Sequence, residues 1–194
     1  KKISEIAQDP NAAGRFQKLS QVLDTDRFIT LLVLDSMTCN WDGYGINKNN
    51  YRIYNDPASG KLVFMPHGLD QMFGVMRTGP DMPLFPRMEG LVARAVMETP
   101  EGRKLYLEKA GTLLTNIYRL EALTNRAWQL AARLRPALEQ ISPGSAKNHE
   151  REVRQLCGRI VARYASIREQ LQAPTSSLQF DASGTASITN WQSR

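Results

Sequence analysis

Cysteine is scarce in this chain: among 194 residues only Cys39 and Cys157 carry a thiol. They stand far apart, in no CxxC spacing and at no zinc-ligand interval from a histidine. That excludes a disulfide framework and a structural zinc site and leaves two free thiols. Long apolar runs are missing as well. None approaches the ~20 residues that a membrane-spanning helix needs, and no signal peptide opens the sequence; because numbering starts at Lys1, this says nothing about export. Blocks of one charge are also absent. The formal net charge is +6, yet the lysines and arginines are scattered among acids, so the excess reads as a solvated basic surface and not as a nucleic-acid interface.

What the chain does have is apolar residues enough for one core: 42% hydrophobic against 23% charged, the balance of an ordinary globular domain. No internal repeat is present, and four zones follow one another. Residues 1–23 mix short helical patterns with turn chemistry at Asp9, Pro10, Asn11 and Gly14, then close on the stripe Phe16, Leu19, Val22, Leu23. Asp24 or Thr25 caps a helix running to about Thr38, whose Phe28, Ile29, Leu31, Leu32, Val33 and Leu34 leave little polar face, so it is buried. Asp35 inside that helix needs a partner: it can pair with Arg52 or cap a neighbouring loop, and a structural salt bridge is the preferred reading.

The second zone, residues 39–74, alternates loops with two strands: 51–54 and 62–65 read as the arms of an antiparallel hairpin around the turn 55–60. Residues 78–87, with Pro80, Pro83 and Pro86, predict an irregular connector. Residues 88–171 carry helical periodicity broken at 99–102 and 142–145, which gives three or four helices. In them Leu113, Leu114, Ile117, Leu120 and Leu123, then Trp128, Leu130, Leu134, Leu138 and Ile141, read as packing stripes. Arg151, Arg154, Arg159, Arg163 and Arg168 read as a solvated face balanced by Glu150, Glu152 and Glu169. Residues 173–194 are Ser/Thr-rich and read as a linker running into a following β domain. The fold class expected is α+β, mainly helical, with one small hairpin.

Polar chemistry is concentrated around that hairpin. Asp42, Asn47, Asn49, Asn50, His67 and Asp70 fall on or beside the loops that frame it. Carboxylates and carboxamides suit a hard divalent cation. Phosphoryl transfer needs this set: one carboxylate to accept the hydroxyl proton, with an amide oxygen and a second carboxylate to hold metal on the phosphates. The same residues are ordinary turn formers, so composition leaves both readings open. Asp42 lies between Trp41, which can anchor in a core, and Gly43, which lets the backbone turn sharply; its carboxylate is expected to face solvent in a cleft. Trp41, Tyr44, Tyr51 and Phe73 read as core in preference to an adenine-stacking surface, and His67 as a turn residue.

Three ordered motifs carry a resemblance. They are Asn40-Trp41-Asp42-Gly43-Tyr44, then Asn49-Asn50-Tyr51-Arg52-Ile53-Tyr54, then Leu62-Val63-Phe64-Met65-Pro66-His67-Gly68-Leu69-Asp70-Gln71-Met72-Phe73-Gly74. Together they resemble the central signature of the CotH family of spore-coat kinases, closely over residues 24–76 and more loosely through 171. The resemblance implies a kinase-like fold that transfers phosphate from ATP to Ser or Thr of a protein substrate with Mg2+ or Mn2+. Residues 1–172 would then be the C-terminal lobe, containing the catalytic loop. The resemblance implies Asp42 as the catalytic acid that orients or deprotonates the hydroxyl. It implies Asn50 and Asp70 as the residues that hold metal and, through it, ATP. Asn47, at the D-x-x-x-x-N interval of ordinary kinases, is a rival for the metal role.

The chain departs from the family's Pro-Trp-Asp-Leu-Asp-like segment, because His67 and Gly68 stand where the Trp and the earlier Asp belong. That implies the loss of one metal ligand and keeps open a non-catalytic, kinase-like binding or assembly module. No glycine-rich nucleotide loop, strand lysine or helix glutamate precedes Asp42. An N-terminal lobe is therefore expected upstream, and the isolated piece is expected to be inactive. Family resemblance also points to an exported or cell-surface protein.

Overall fold

The computed structural model describes residues 1–11 and 13–172 in full, together with the backbone of Leu178–Phe180 and Ala186–Ile188. Helices α1 (Lys2–Gln8) and α2 (Arg15–Ser20) lead into α3 (Thr25–Met37). Asp24 starts α3 as its sequence predicts: Asp24 Oδ1 accepts from Arg27 N at 3.0 Å, satisfying one of the amides that the first helical turn leaves open. Phe28, Ile29, Leu32 and Val33 are at most 1% exposed. Burying each such side chain contributes roughly 1.5–3 kcal/mol, and α3 therefore lies at the centre of the core. At its end Cys39 adopts a left-handed φ of 54° and turns the chain outward.

The short helix α4 (Tyr44–Asn47) is followed by strands β1 (Tyr51–Asn55) and β2 (Leu62–Pro66), paired antiparallel with Ile53 opposite Phe64. The hairpin is as expected, each arm one residue longer. It lies on α3 through an aromatic cluster: Phe64 meets Phe28 edge-on at 4.8 Å and Tyr44 at 4.7 Å, and Tyr51 stacks on Phe64 at 5.6 Å. Tyr44 and Tyr51 are thus core residues, and Phe73 packs against Tyr118. Residues 67–90 contain neither helix nor strand, in keeping with their prolines.

Four further helices follow: α5 (Leu91–Met97), α6 (Pro100–Asn116), α7 (Leu120–Ile141) and α8 (Pro143–Gln172). The break predicted at 99–102 is a helix start, where Thr99 caps α6 by accepting from Gly102 N and Pro100 occupies the first turn. Helix α6 packs on α3, whereas α7 packs chiefly on α8. Backbone strands β3 (Leu178–Phe180) and β4 (Ala186–Ile188) pair antiparallel; the linker and following domain expected for 173–194 otherwise lie outside the described residues.

Two readings of the helical half are corrected. Trp128, Leu130, Leu134 and Ile141, expected to pack, are exposed, as is Ile117, because α7 meets a neighbour on one side only. Arg163, expected on a solvated face, is fully buried. Its Nε donates to Met37 O, its Nη2 to Ser36 O at 2.7 Å, and its Nη1 to Pro80 O at 3.0 Å and to Met82 O. The C-terminal end of α3 offers unpaired carbonyls and the negative end of its dipole, and a guanidinium with five donors meets that need. Arg163 thereby fastens the Pro-rich connector to α3.

Candidate functional site

Everything the sequence proposes as chemistry hangs from the C-terminal end of α3. The loop after it is held from three sides. Phe73 N donates to Thr38 O at 2.5 Å, and Thr78 Oγ1 donates to Cys39 O at 3.2 Å. On the far side Glu89 N donates to Gly45 O at 2.8 Å, and Val92 N to the Tyr44 hydroxyl at 3.0 Å. From beneath, Asn40 Nδ2 donates to Asp35 Oδ1 at 2.7 Å. The salt bridge expected for Asp35 is not formed. Its hydrogen-bond partner is Asn40, and Arg52 lies on the exposed hairpin, donating to Tyr51 O at 3.3 Å and meeting His67 Nε2 at 3.4 Å. Burial pushes the Asp35 carboxyl up to about 7, against the opposing pull of the Asn40 hydrogen bond.

Asp42 is the hub. Asn47 Nδ2 donates to its Oδ1 at 2.5 Å, while Asn49 Nδ2 and Asn50 Nδ2 donate to its Oδ2 at 3.1 and 2.7 Å. The expectation of a solvent-facing carboxylate is corrected here: Asp42 is only 8% exposed, because three carboxamides close over it. A carboxylate can only accept, so each asparagine turns its NH2 toward Asp42 and its carbonyl oxygen away. The arrangement presents amide oxygens around the Asp42 carboxyl group.

The second flank of the hairpin meets the same cluster through Asn50, whose Nδ2 also approaches Gly68 O at 3.3 Å and whose backbone carbonyl accepts from His67 N at 3.0 Å. Gly68 has φ +60°, and a Cβ on it would stand 2.8 Å from Asn50 Cγ. The Asn50 amide thus occupies the space that any side chain at 68 would need. Asp70 is exposed two residues further on and makes no hydrogen bond or ion pair among the described residues. The structure thus brings Asp42, Asn47, Asn49 and Asn50 into one hydrogen-bonded cluster, whereas Asp70 is adjacent along the chain and makes no hydrogen bond to it.

Backbone strain marks the same region. Among the described residues, every non-glycine with a left-handed φ lies in it: Cys39, Lys48, Asn50, Phe73 and Arg77. Such conformations cost of order 1 kcal/mol or more each and persist only where surroundings over-determine them. Trp41, expected in the core, is half-buried with the Arg77 guanidinium 4.3 Å above its ring.

Two supports were missed by the sequence reading. Arg163 falls in the series Val153, Ile160, Arg163, Ile167, Gln170, all buried on one stripe of α8. A continuous three-four spacing across two polar residues was the available signal. Gln170 accepts from Leu84 N at 2.6 Å and donates to Met82 O at 3.2 Å, and the Tyr106 hydroxyl donates to Leu84 O at 2.7 Å. Nothing local to residues 82–84 announces these partners.

Comparison with known proteins accords with this geometry. The family model described as CotH kinase protein matches residues 2–169. Invasin CotH3 of Rhizopus delemar is 30% identical over 153 residues, 70% of this chain and 25% of that protein. Invasin CotH2 of the same organism is 25% identical over 154 residues, 71% of this chain and 25% of that protein. The chain spans about a quarter of the length of these curated relatives. It belongs to the CotH kinase protein family.

Proposed function

We propose that this chain, as a member of that family, is the second lobe of a protein phosphotransferase that moves the γ-phosphate of ATP to a Ser or Thr hydroxyl of a protein substrate. The observation that carries the reading is the convergence of Asn47, Asn49 and Asn50 on the Asp42 carboxylate. Three N–H donors fix the position of the Asp42 carboxylate, and a fixed carboxylate is what is needed to orient or accept the proton of an attacking hydroxyl. Asn47 or Asn50, through the carbonyl oxygen turned away from Asp42, and Asp70, through its unpaired carboxylate, are the groups to hold Mg2+ or Mn2+, both of which prefer hard oxygen donors. A divalent ion bound there would neutralise phosphate charge during transfer. Residues 1–172 in this reading form one lobe, and the exposed Ile53, Tyr54, Met65, Leu69, Val75 and Met76 beside the site are apolar surface for a first lobe to cover.

The test uses the full-length parent with radiolabelled ATP. Transfer that requires Mg2+ or Mn2+ and falls on Asp42→Asn substitution supports the reading; transfer that survives the substitution overturns it. A second reading, a kinase-like binding or assembly module without catalysis, is favoured by one observation: Gly68 carries no carboxylate, and Asn50 fills the space for one. Relatives named as invasins suit this reading and an exported or cell-surface location. It predicts a parent that folds and binds a protein partner but shows no metal-dependent nucleotide binding.

A further inference from the structure

Beneath the loop, two buried oxygens lack a hydrogen-bond partner among the described residues: Asp35 Oδ2 and Asn40 Oδ1. They belong to side chains that already touch. Asn40 Nδ2 donates to Asp35 Oδ1 at 2.7 Å, and Asn40 N donates to Asp35 O at 2.8 Å. Asp35 is 5% exposed and Asn40 1%. An ionised Asp35 would be a buried carboxylate with one hydrogen bond and no cation, beside a second acceptor left empty. Either alone is costly to bury. One proton satisfies both, because a carboxylic acid and a carboxamide are complementary, O–H to C=O on one side and N–H to C=O on the other.

We propose that Asp35 is a neutral carboxylic acid in the folded protein, its Oδ2–H donating to Asn40 Oδ1, and that this two-bond ring positions residues 40–43 and with them the Asp42 carboxylate. Gly43 shows how closely the ring supports the loop: a Cβ there would lie well inside van der Waals contact distance of Asp35 Oδ2. The groups packed around Asp35 do not stabilise its anion. Arg163 from α8 uses its donors on the carbonyls of Ser36, Met37, Pro80 and Met82. The Tyr106 hydroxyl from α6 donates to Leu84 O and lies within hydrogen-bond distance of Ser36 Oγ, and Lys109 of α6 is bound to Asp26 at the other end of α3. From the loop side come Cys39, Asp42 and Tyr44, none of them a cation, and β2 brings no ionisable side chain. The raised value of about 7 agrees.

The sign of the pH dependence follows. Asp35 holds its proton to about 7 when folded against an ordinary 3.8. The folded state therefore binds the extra proton between these values. The stability this group supplies is full below about 4 and is lost as pH rises through about 7. That Asp42 performs chemistry rests on the function proposed above; the protonated pair does not, and its test needs no phosphate transfer.

The experiment compares wild type with Asp35→Asn on the full chain. An asparagine at 35 can close the same ring without a proton, its Nδ2 donating to Asn40 Oδ1. Expected at pH 5 are matched melting temperatures and an infrared band of a protonated carboxylic acid present in wild type alone. At pH 8 that band should be replaced by carboxylate absorption, and Asp35→Asn should melt higher than wild type by about 5 °C. The ratio of wild-type to variant hydrogen exchange at amides 40–43 should rise by roughly tenfold between pH 5 and pH 8. The proposal is overturned if no protonated-acid band separates the two proteins at pH 5, or if Asp35→Asn melts lower than wild type at pH 8. Failure of Asp35→Asn to fold would equally overturn it, since the amide would then not replace the acid.

Discussion

Helices α3 and α7 are both long and rich in leucine, and they use it in opposite ways. In α3, Phe28, Ile29, Leu31, Leu32, Val33 and Met37 are buried, and so are the polar Asp35 and Ser36. In α7 only Ala131 is buried, while Leu130 and Leu134 face solvent. Apolar pattern alone does not separate the two. What does is the number of neighbours: α3 is packed by α6, β2 and α4, whereas α7 has α8. A helix packed by several neighbours buries polar residues too, and those residues, Asp35 and the backbone carbonyls that Arg163 reaches, are the ones that shape the candidate site.

The comparison can be broken most severely at Arg163. Replacing it with Met should strand the carbonyls of Met37 and Pro80, remove a donor from those of Ser36 and Met82, and cost about 3–5 kcal/mol in a urea melt, because the group makes several buried charge-assisted hydrogen bonds. Arg151→Met, on an exposed part of the same helix, should leave the midpoint unchanged. Equal losses in the two variants would mean that Arg163 contributes no more than a surface cation.

Asp42 tests the site itself. In the full-length parent Asp42→Asn should lower phosphate transfer by roughly 10²-fold or more, the scale of a lost acid/base group. Stability should fall as well, by about 1–3 kcal/mol, because an amide nitrogen would then face the amide nitrogens of Asn47, Asn49 or Asn50. A melt unchanged from wild type would show that the three carboxamides do not close on this carboxylate in solution.

A smaller effect separates two glycines. Gly60 and Gly68 share a left-handed φ, +68° and +60°, but a Cβ on Gly60 meets nothing within 4 Å while one on Gly68 meets Asn50. Gly60→Ala should cost only the conformational term, ~1 kcal/mol. Gly68→Ala should cost more, and the excess, read from paired thermal melts, measures the packing of the Asn50 amide. The smallest effect belongs to α7: Leu134→Gln should stay within about 0.5 kcal/mol of wild type, where Leu32→Ala should lose about 2–5 kcal/mol. A large loss at Leu134 would show that the outer face of α7 is covered in solution.

Much of this arrangement was legible in the chain itself. The apolar run of α3 with its Asp24 cap, the turn residues of the hairpin, the prolines of the connector and the breaks at Thr99 and Ser142 each act over a few residues. Local chemistry of that kind is read directly from neighbours in sequence. The membership of Asp42, Asn47, Asn49 and Asn50 in one cluster was legible for the same reason, since eight residues of turn keep them within reach of one another. Burial was not. Whether Leu134 meets a partner and whether Arg163 is a surface cation or a buried clasp depend on atoms more than a hundred residues away in places, such as Arg163 with Ser36. A side chain's environment is set by everything that packs around it, so the fold's elements were written locally, while the solvation and hydrogen bonding of the site were decided by the tertiary structure.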